Sequence, residues 1–441
     1  MNQNKKSSVN SFCYLCGTME EINYDVIVVG AGAAGMMAAG TAARSGKRVL
    51  LLEKMEKSGR KVRITGKGRC NVTNARPVEE FAEHIRANAE FFAPAFEEFT
   101  NRTTIRFFEK RGCKLDIERG DRVFPKSGKA WDIANVLLEY CVDHGVKIMY
   151  DTKVSEVLTV AGKVYGVNYQ NKRGFTRKFE APVVIITTGG VSYPATGSTG
   201  DGYAFAADLG HNIEPIRPSL TPLISSHPHI QRMGGILLKN VYAELVIDGE
   251  VVQEEFGEIG FSERGIEGAV ALRLSRNAVD AIIDEKSVEI TLDIKPALDE
   301  QTLRDRIARE VEEMLPRETF ADLIRKLAPK PLVIPLAESV GVHSHAYITK
   351  ITQENFEKLI ETLKCLTLPI DDYAPFEYAI ITAGGVSCED VNPLTMESLK
   401  VKGLYFAGEI LDLDADTGGY NLQIAFSTGK LAGMTKGCLD N

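Results

Sequence analysis

The sequence lacks the segments that would direct the chain into or across a membrane. Residues 1–21 contain no long apolar stretch of the kind found in secretory signals. Residues 26–43 form an uncharged run, but its alanines and glycines favour a soluble strand, turn and helix over a membrane span. We therefore predict a cytoplasmic protein with no membrane partner. Met19 stands just before the expected start of the domain at Asp25, so we expect residues 1–18 to be a dispensable extension.

Features of disulfide-rich or metal-binding proteins are also scarce. The 8 cysteines are scattered without a framework, which predicts a reducing compartment. Cys13-Tyr-Leu-Cys16 is a lone C-x-x-C, and without a second such pair it does not indicate a zinc site. Two H-x-H pairs, at 227–229 and 343–345, lack acidic ligands at a supporting spacing. We predict no metal site.

The chain has fewer basic than acidic residues, 52 against 60. The formal net charge is −8, which argues against a nucleic-acid or anionic-membrane partner. Basic residues do cluster at 60–63 and 67–69, close to the glycine motif described next. We predict that they serve the phosphates of a cofactor, and we predict no nucleic-acid partner.

A glycine motif near the start of the chain carries the strongest functional signal. Residues 25–29 are predicted to form a short buried parallel strand. Gly30, Gly32 and Gly35 follow at G-x-G-x-x-G spacing and lead into a helix of small residues. The first glycine permits a tight turn, the second allows close approach of a pyrophosphate, and the third lets the helix pack against the sheet. This pattern predicts a dinucleotide-binding site.

The pyrophosphate is expected at the start of the helix, near Ala33 and Ala34, where unpaired N–H groups and the helix dipole favour an anion. A second predicted strand, at 49–52, ends in Glu53. Its carboxylate is placed to accept hydrogen bonds from an adenosine ribose and would repel the 2′-phosphate of NADP.

The loop at 58–74 is rich in glycine and in basic residues. We interpret it as a wrap around the diphosphate and ring of the cofactor, the alternative being an ordinary surface loop. Cys70 could be a reactive thiol, but a small buried residue is the favoured interpretation. The cofactor candidates in and just before this loop are Lys54, Arg60, Lys61, Gly68, Arg69, Cys70 and Asn71.

The order of the later elements is typical of FAD domains. A β-meander is predicted over 157–179, and the buried strand that follows ends in Thr188-Gly189-Gly190. The composition shifts near residue 216 and becomes rich in short strands, and buried strands that end in glycine return near residue 371. We predict a discontinuous Rossmann-like α/β domain with an insertion. The predicted boundaries are 20–215 and 371–441 for the FAD-binding domain, 216–297 and 335–370 for a β-rich domain, and 298–334 for a helical subdomain.

The C-terminal part is predicted to complete the cofactor site. A buried strand ends in Gly408-Glu409, and the last helix starts at Gly419-Tyr420-Asn421. The N–H groups there would face the N1–C2=O edge of an isoalloxazine, where negative charge develops on reduction. The alternative is a plain helix start.

These stretches together resemble the BaiN-like family of bacterial FAD-dependent oxidoreductases, which are cousins of the fumarate reductase flavoproteins. The matching motifs are Gly30 to Gly35, residues 65–74, 188–194, 198–202, 383–386 and 404–421. The resemblance implies a flavin domain interrupted by a β-barrel-like module that carries a small helical subdomain. It also implies Glu53 on the adenosine ribose, the Val154 backbone on the adenine, and Glu409 near the ribityl chain or the phosphates.

We hypothesise that FAD mediates hydride transfer between flavin N5 and a small organic substrate, with reduction of an activated C=C bond as the first reaction class. Amine oxidation is the alternative, followed by a flavoprotein that serves RNA modification or complex assembly and by a non-catalytic flavin-binding module. The chain has no second complete G-x-G-x-x-G unit, so NAD(P)H would visit only transiently. The sequence carries no signal for an oligomeric state.

Catalytic residues are less well determined than the cofactor site. Tyr193 follows the glycine pair and is the candidate proton donor, with positioning or simple packing as alternatives. Arg217 could bind an anionic substrate, although a surface salt bridge is the commoner role of an arginine.

Overall fold

The computed structural model describes residues 24–171 and 174–436. The predictions for residues 1–18 and for Cys13-Tyr-Leu-Cys16 lie outside the described residues. Within those ranges, no helix combines the length and the apolar character that a bilayer crossing requires.

The chain alternates strands and helices in its outer parts and is mixed in its middle. The strands are β1 (Val26–Val29), β2 (Val49–Leu52), β3 (Thr73–Asn74), β4 (Leu115–Glu118), β5 (Arg122–Pro125), β6 (Lys147–Met149), β7 (Lys153–Val160), β8 (Lys163–Gln170), β9 (Thr176–Glu180), β10 (Val183–Ile186), β11 (Ile213–Ser219), β12 (Leu223–Ile224), β13 (Leu237–Ile247), β14 (Glu250–Phe261), β15 (Gly265–Glu267), β16 (Val288–Asp293), β17 (Leu366–Pro369), β18 (Asp372–Tyr373), β19 (Ile381–Val386) and β20 (Leu404–Phe406). The helices are α1 (Ala33–Arg44), α2 (Arg60–Ile64), α3 (Val78–Phe81), α4 (Ala89–Glu98), α5 (Asn101–Lys110), α6 (Ala130–Asp143), α7 (Asp201–Asp208), α8 (Ile230–Met233), α9 (Gly268–Ile283), α10 (Glu300–Glu312), α11 (Phe320–Leu327), α12 (Val333–Ser339), α13 (Gln353–Lys364) and α14 (Tyr420–Met434).

A five-stranded parallel sheet in the order β20-β10-β1-β2-β6 forms the centre of the FAD-type domain. Val26 pairs with Val183 on one side and with Val49 on the other. The strands β1, β2, β10 and β20 are buried along their whole length, which explains why their sequences are continuously apolar rather than alternating. The predicted Rossmann-like α/β fold is therefore present, and it draws strands from both ends of the chain.

Helices α1 and α14 pack against each other at small residues. A Cβ added at Gly429 would overlap the backbone of Ala34, and one added at Gly433 would overlap the carbonyl oxygen of Ala38. The two helices can therefore approach closely only because these two positions of α14 are glycine. This contact holds the N-terminal motif and the C-terminal helix in one unit.

A second sheet, in the order β17-β16-β13-β14-β15-β12-β18, is built from the middle of the chain. It has its own hydrophobic core, which it shares with α9 and with the helices between residues 300 and 364. The predicted barrel-like closure is not found, because within the described residues the two edge strands β17 and β18 do not pair with each other. A barrel closes only when its first and last strands bond, and here the two-residue β18 leads directly back to the first domain. The antiparallel pair β11 and β19 connects the two parts.

Candidate cofactor and active site

A cavity of about 760 Å³ lies at the carboxyl ends of the parallel strands. Gly30 follows β1, Glu53 follows β2, Thr187 follows β10 and Ala407 follows β20, and all four residues line it. The carboxyl edge of an open α/β sheet, where the strand order reverses, is the usual ligand site of this architecture. The volume lies within the roughly 300–1,000 Å³ typical of ligand and cofactor pockets.

Most of the predicted site residues share this cavity. Those that line it are Gly30, Gly32, Ala33, Ala34, Glu53, Lys54, Arg60, Lys61, Arg69, Asn71, Val154, Thr188, Gly189, Tyr193, Gly408, Glu409, Gly419 and Asn421. Their roles toward a cofactor stay predictions, but sequence reasoning brought together groups that are up to several hundred residues apart.

Five predicted residues do not line the cavity, most of them because they are packed elsewhere. Gly35 and Gly190 pack tightly against neighbouring residues. A Cβ added at Gly35 would overlap the Gly30 carbonyl, and one added at Gly190 would overlap the Thr382 side chain. Gly68 does not line the cavity, although its neighbours in the chain, Lys67 and Arg69, do. The thiol of Cys70 is fully buried, and this burial raises its pKa to about 12. The ring of Tyr420 stacks on His84 with 4.4 Å between ring centroids.

The glycine motif has the geometry that its spacing predicts. Gly30 has a φ of +100°, and an added Cβ there would overlap the Thr187 carbonyl. Gly32 differs, because no heavy atom lies within 4 Å of the position that its Cβ would take. The surface at Gly32 is therefore backbone facing open space at the start of α1, which is the arrangement that binds a pyrophosphate.

Glu53 is held in place by backbone amides. Its carboxylate accepts hydrogen bonds from the amides of Ala31 and Met55, both at 2.8 Å. Burial raises the pKa of this carboxyl, and the two amide hydrogen bonds oppose that effect. The amides therefore orient the carboxylate at the edge of the cavity.

Two buried polar atoms on the cavity wall have no partner among the described residues. They are the Oδ1 atom of Asn71 and the Oγ1 atom of Thr188. Buried polar atoms are nearly always hydrogen-bonded, so each indicates a ligand group or ordered water in the cavity. Together with the open backbone at Gly32, they fit an elongated polar cofactor such as FAD.

The start of α14 closes the other end of the cavity. Gly419 has a φ of +102°, and an added Cβ would overlap the backbone of Thr73, so the helix begins directly against β3. The side chain of Asn421 is used locally: it donates to the Ala415 carbonyl at 2.8 Å and accepts from the Ala415 amide at 3.0 Å. Asn421 thereby fixes the turn that precedes the helix.

A network that sequence reasoning missed joins Lys61 on α2 to the start of β19 and to the segments that follow β10 and β20. Lys61 Nζ lies 2.7 Å from Glu409 Oε2 and donates to Ser192 Oγ at 2.6 Å. Glu409 Oε1 also accepts from the Thr382 amide at 2.9 Å. Ser192 lies inside the recognised motif at 188–194 and Thr382 directly precedes the one at 383–386, but no local pattern indicates that they meet.

Tyr193 sits next to this network in an unusual backbone conformation. Its φ is +50° and it precedes Pro194, although left-handed non-glycine residues and helical residues before proline are both disfavoured. Its amide donates to the Phe376 carbonyl at 3.0 Å. Strained residues of this kind cluster at functional sites. Arg217 is different: it lies outside the lining, forms an ion pair with Asp280 and donates to the Pro215 carbonyl at 2.8 Å.

The inserted sheet contributes one wall of the cavity. Glu258 on β14 and Ala269 and Leu272 on α9 line it, together with Leu220 from the connecting segment. In residues 24–171 and 174–436, no group of three or more His, Cys, Asp or Glu side chains could hold a metal ion. Of the histidines at 227–229, His229 instead pairs with Glu338 at 3.0 Å.

Comparison with known proteins decides the family. The family model described as HI0933-like protein Rossmann domain matches residues 24–435. The chain belongs to the HI0933-like family. This is a family of flavin-dependent oxidoreductases with an FAD-binding Rossmann fold, so the predicted resemblance and the predicted enzyme class are confirmed.

Two curated relatives align with almost the full HI0933-like chain. The 3-dehydro-bile acid delta(4,6)-reductase of Clostridium scindens is 31% identical over 92% of this chain and 97% of its own. The ribosomal RNA dihydrouridine synthase of Escherichia coli is 29% identical over 92% of this chain and 96% of its own. A quinol-fumarate reductase structure with menaquinol molecules, 16% identical, has a TM-score of 0.51 and covers 93% of this chain and 70% of that chain. That likeness shows a shared fold.

One sequence-based prediction for this HI0933-like protein is corrected. The net charge led us to exclude a nucleic-acid partner, but a full-length relative carries the name of an RNA-modifying enzyme. The net charge of a whole chain does not describe the local potential beside a site, so it was the wrong quantity on which to base that exclusion.

Proposed function

We propose that this protein uses FAD to reduce an activated C=C bond, one conjugated with a carbonyl group. The names of the two full-length relatives support this reaction class, since one describes a delta(4,6)-reductase and the other a synthase of dihydrouridine. Uridine and its dihydro form differ by one reduced C=C bond in a carbonyl-containing ring. The two substrates are unlike in size and charge, so the shared element is the bond that reacts.

The observation that carries the proposal is the placement of Tyr193. Reduction of such a bond needs a hydride at one carbon and a proton at its neighbour. When bound, reduced FAD would supply the hydride. Tyr193 lines the cavity and has a left-handed backbone conformation, and in this proposal its phenol donates the proton.

Other residues of the chain orient and shield the reaction. Amides at the start of α14 would stabilise negative charge on the carbonyl edge of the flavin ring. Leu220, Ala269 and Leu272 would exclude water from the substrate side. In the same proposal Glu53 holds the adenosine ribose, the Val154 backbone contacts the adenine, and NAD(P)H visits transiently to deliver electrons.

Anaerobic reduction and reoxidation of the purified flavoprotein test this function. NADH or NADPH should bleach the visible flavin band, and a conjugated cyclic enone or a uridine-containing RNA should then restore it with a reduced C=C bond in the product. A saturated ketone of the same size is the matched control and should not restore the band. Bleaching by an amine, with no reoxidation by either C=C substrate, would refute the proposal in favour of an amine oxidase.

A further inference from the structure

The only tryptophan of the chain lies on a basic surface beside the cavity. Trp131, near the start of α6, is 52% exposed, although tryptophan is usually well buried. The guanidinium of Arg63 lies 3.7 Å from the centroid of its ring, and Lys57 Nζ lies 5.9 Å from it. The neighbouring Ile64 is 47% exposed. Arg63 therefore stacks over one face of the ring, while about half of the residue's surface stays exposed to solvent beside these cations.

The same surface continues to the mouth of the cavity. Lys67, Arg69 and Arg122 are exposed and line the cavity, and the guanidinium of Arg69 lies 4.3 Å from the Phe124 centroid. Helix α2, the 65–68 turn, β5 and the start of α6 pack together, so these residues belong to one face. We call Lys57, Arg63, Lys67, Arg69, Arg122 and Trp131 the Trp131 face.

Acidic residues neutralise this face only in part. Glu118 pairs with Arg69 at the surface, and Glu56 lies 3.9 Å from Lys57. Glu118 also faces Arg122 across the β4–β5 pair and interacts with its charge, whereas within the described ranges Lys67 forms no ion pair. The face therefore remains cationic in a chain whose net charge is −8, and the contrast points to an anionic partner rather than to a generally basic surface.

We propose that the Trp131 face binds single-stranded RNA next to the cavity. Aromatic faces that stack bases, combined with cations that follow the phosphates, are the general means of binding single strands. Duplex RNA would not fit this requirement, because its bases are stacked and paired. As a route to catalysis the inference rests on the proposed function: a base must leave its stack to enter a reaction cavity, and the face would hold the flanking nucleotides.

Because Trp131 is the only tryptophan, its fluorescence reports on this face alone. Titration of the holoprotein with an unstructured oligoribonucleotide should quench the emission, and the affinity should fall steeply as salt rises. With a fluorescein-labelled oligomer, Lys67→Glu, Arg122→Glu and Trp131→Ala should each weaken binding by about tenfold or more. Lys330→Glu reverses an exposed charge just before α12, outside the Trp131 face, and should leave the affinity unchanged.

Several results would overturn the inference. These are the absence of salt-dependent RNA binding, an equal loss in Lys330→Glu, tighter binding of a duplex of the same length, or binding of phosphatidylserine vesicles without binding of RNA. Enone-driven reoxidation and RNA binding, both measured on the parent protein, separate the two proposals. If enones reoxidise the flavin but RNA does not bind, the RNA surface fails alone. If RNA binds but no C=C substrate reoxidises the flavin, the proposed function fails alone.

Discussion

Ser192 and Glu409 lie 217 residues apart in the chain, yet the Ser192 hydroxyl donates to Glu409 Oε1 over 2.7 Å. The Thr382 amide donates to the same oxygen, and Lys61 pairs with the other one. The turn that carries Tyr193 is thus held by residues from the returning C-terminal part of the chain. The position of the candidate proton donor therefore depends on correct assembly of both halves of the domain.

Thr382 offers a direct test of this arrangement. Its buried Oγ1 accepts from the amides of Val191 at 2.9 Å and Ser192 at 3.1 Å. Thr382→Val should leave both amides without an acceptor and lower the free energy of unfolding by about 1–3 kcal/mol. Because the turn would shift, kcat should fall more than KM rises. Thr382→Ser keeps the hydroxyl and should retain most of both quantities; equal losses in the two variants would contradict the role of the hydroxyl.

Tyr193→Phe should separate chemistry from cofactor binding. Loss of the phenolic proton donor should slow enone-driven reoxidation of the reduced flavin by about 10²–10⁴-fold, while the FAD affinity and the melting temperature stay near those of the parent protein. Stopped-flow absorbance measures the rate. Tyr347→Phe removes an exposed hydroxyl elsewhere and serves as the control. An unchanged rate in Tyr193→Phe would leave this residue a packing role.

Gly32→Ala and Gly35→Ala should fail in different ways. Gly32 has a φ of −81°, which alanine adopts readily, and no heavy atom within 4 Å of its Cβ position. Gly32→Ala should therefore fold normally but bind FAD more weakly, because the methyl group occupies the space predicted for the pyrophosphate. In Gly35→Ala the methyl group would overlap the Gly30 carbonyl, so the apoprotein itself should be destabilised. Thermal unfolding of the apoproteins and titration with FAD distinguish the two effects, and equal FAD affinity in Gly32→Ala would refute the pyrophosphate assignment.

Glu53 predicts a specific pH dependence of stability. Burial raises its pKa in the folded state above the ordinary value of 4.5. Its contribution to stability is therefore fully present below pH 4.5 and is lost as the pH rises through the raised pKa. Compared with Glu53→Gln, the parent apoprotein should lose free energy of unfolding as the pH rises above 4.5. Glu56→Gln, at an exposed position, should not remove this slope. Denaturant unfolding at a series of pH values measures it, and parallel curves for the parent and Glu53→Gln would contradict the prediction.

The Cys70 thiol should not react with alkylating reagents in the folded protein. With its pKa raised to about 12 by burial, the thiol stays protonated at about pH 8, where thiolates are the reactive species. Iodoacetamide should label the exposed Cys365 and leave Cys70 unmodified until denaturant is added. Peptide mapping by mass spectrometry reads out both sites. Labelling of Cys70 as fast as Cys365 would show that the loop at 58–74 opens in solution.

The parts of the site that could be predicted from sequence are those built by neighbouring residues. Gly30, Gly32 and Gly35 act through their own backbone within a single strand–turn–helix unit, so their spacing alone implies the turn, the open helix start and the close helix–sheet contact. The buried parallel strands were evident because continuous apolar runs between turns have few other interpretations.

Other features of the site were decided only by the tertiary structure, because they depend on which residues from distant parts of the chain come into contact. Alternating strands predicted a β-rich insertion but not whether its edges pair, so the sheet proved open where a barrel was expected. Ser192 and Thr382 became part of the site only because the start of β19 lies beside the segments that follow β10 and β20. The net charge of the whole chain argued against a nucleic-acid partner. The grouping of Trp131 with Arg63 and Lys67 on one face supports the RNA-binding surface that we propose. Local periodicity and glycine spacing are encoded over a few residues, whereas edge pairing, buried networks and surface potential arise only after the chain has folded back on itself.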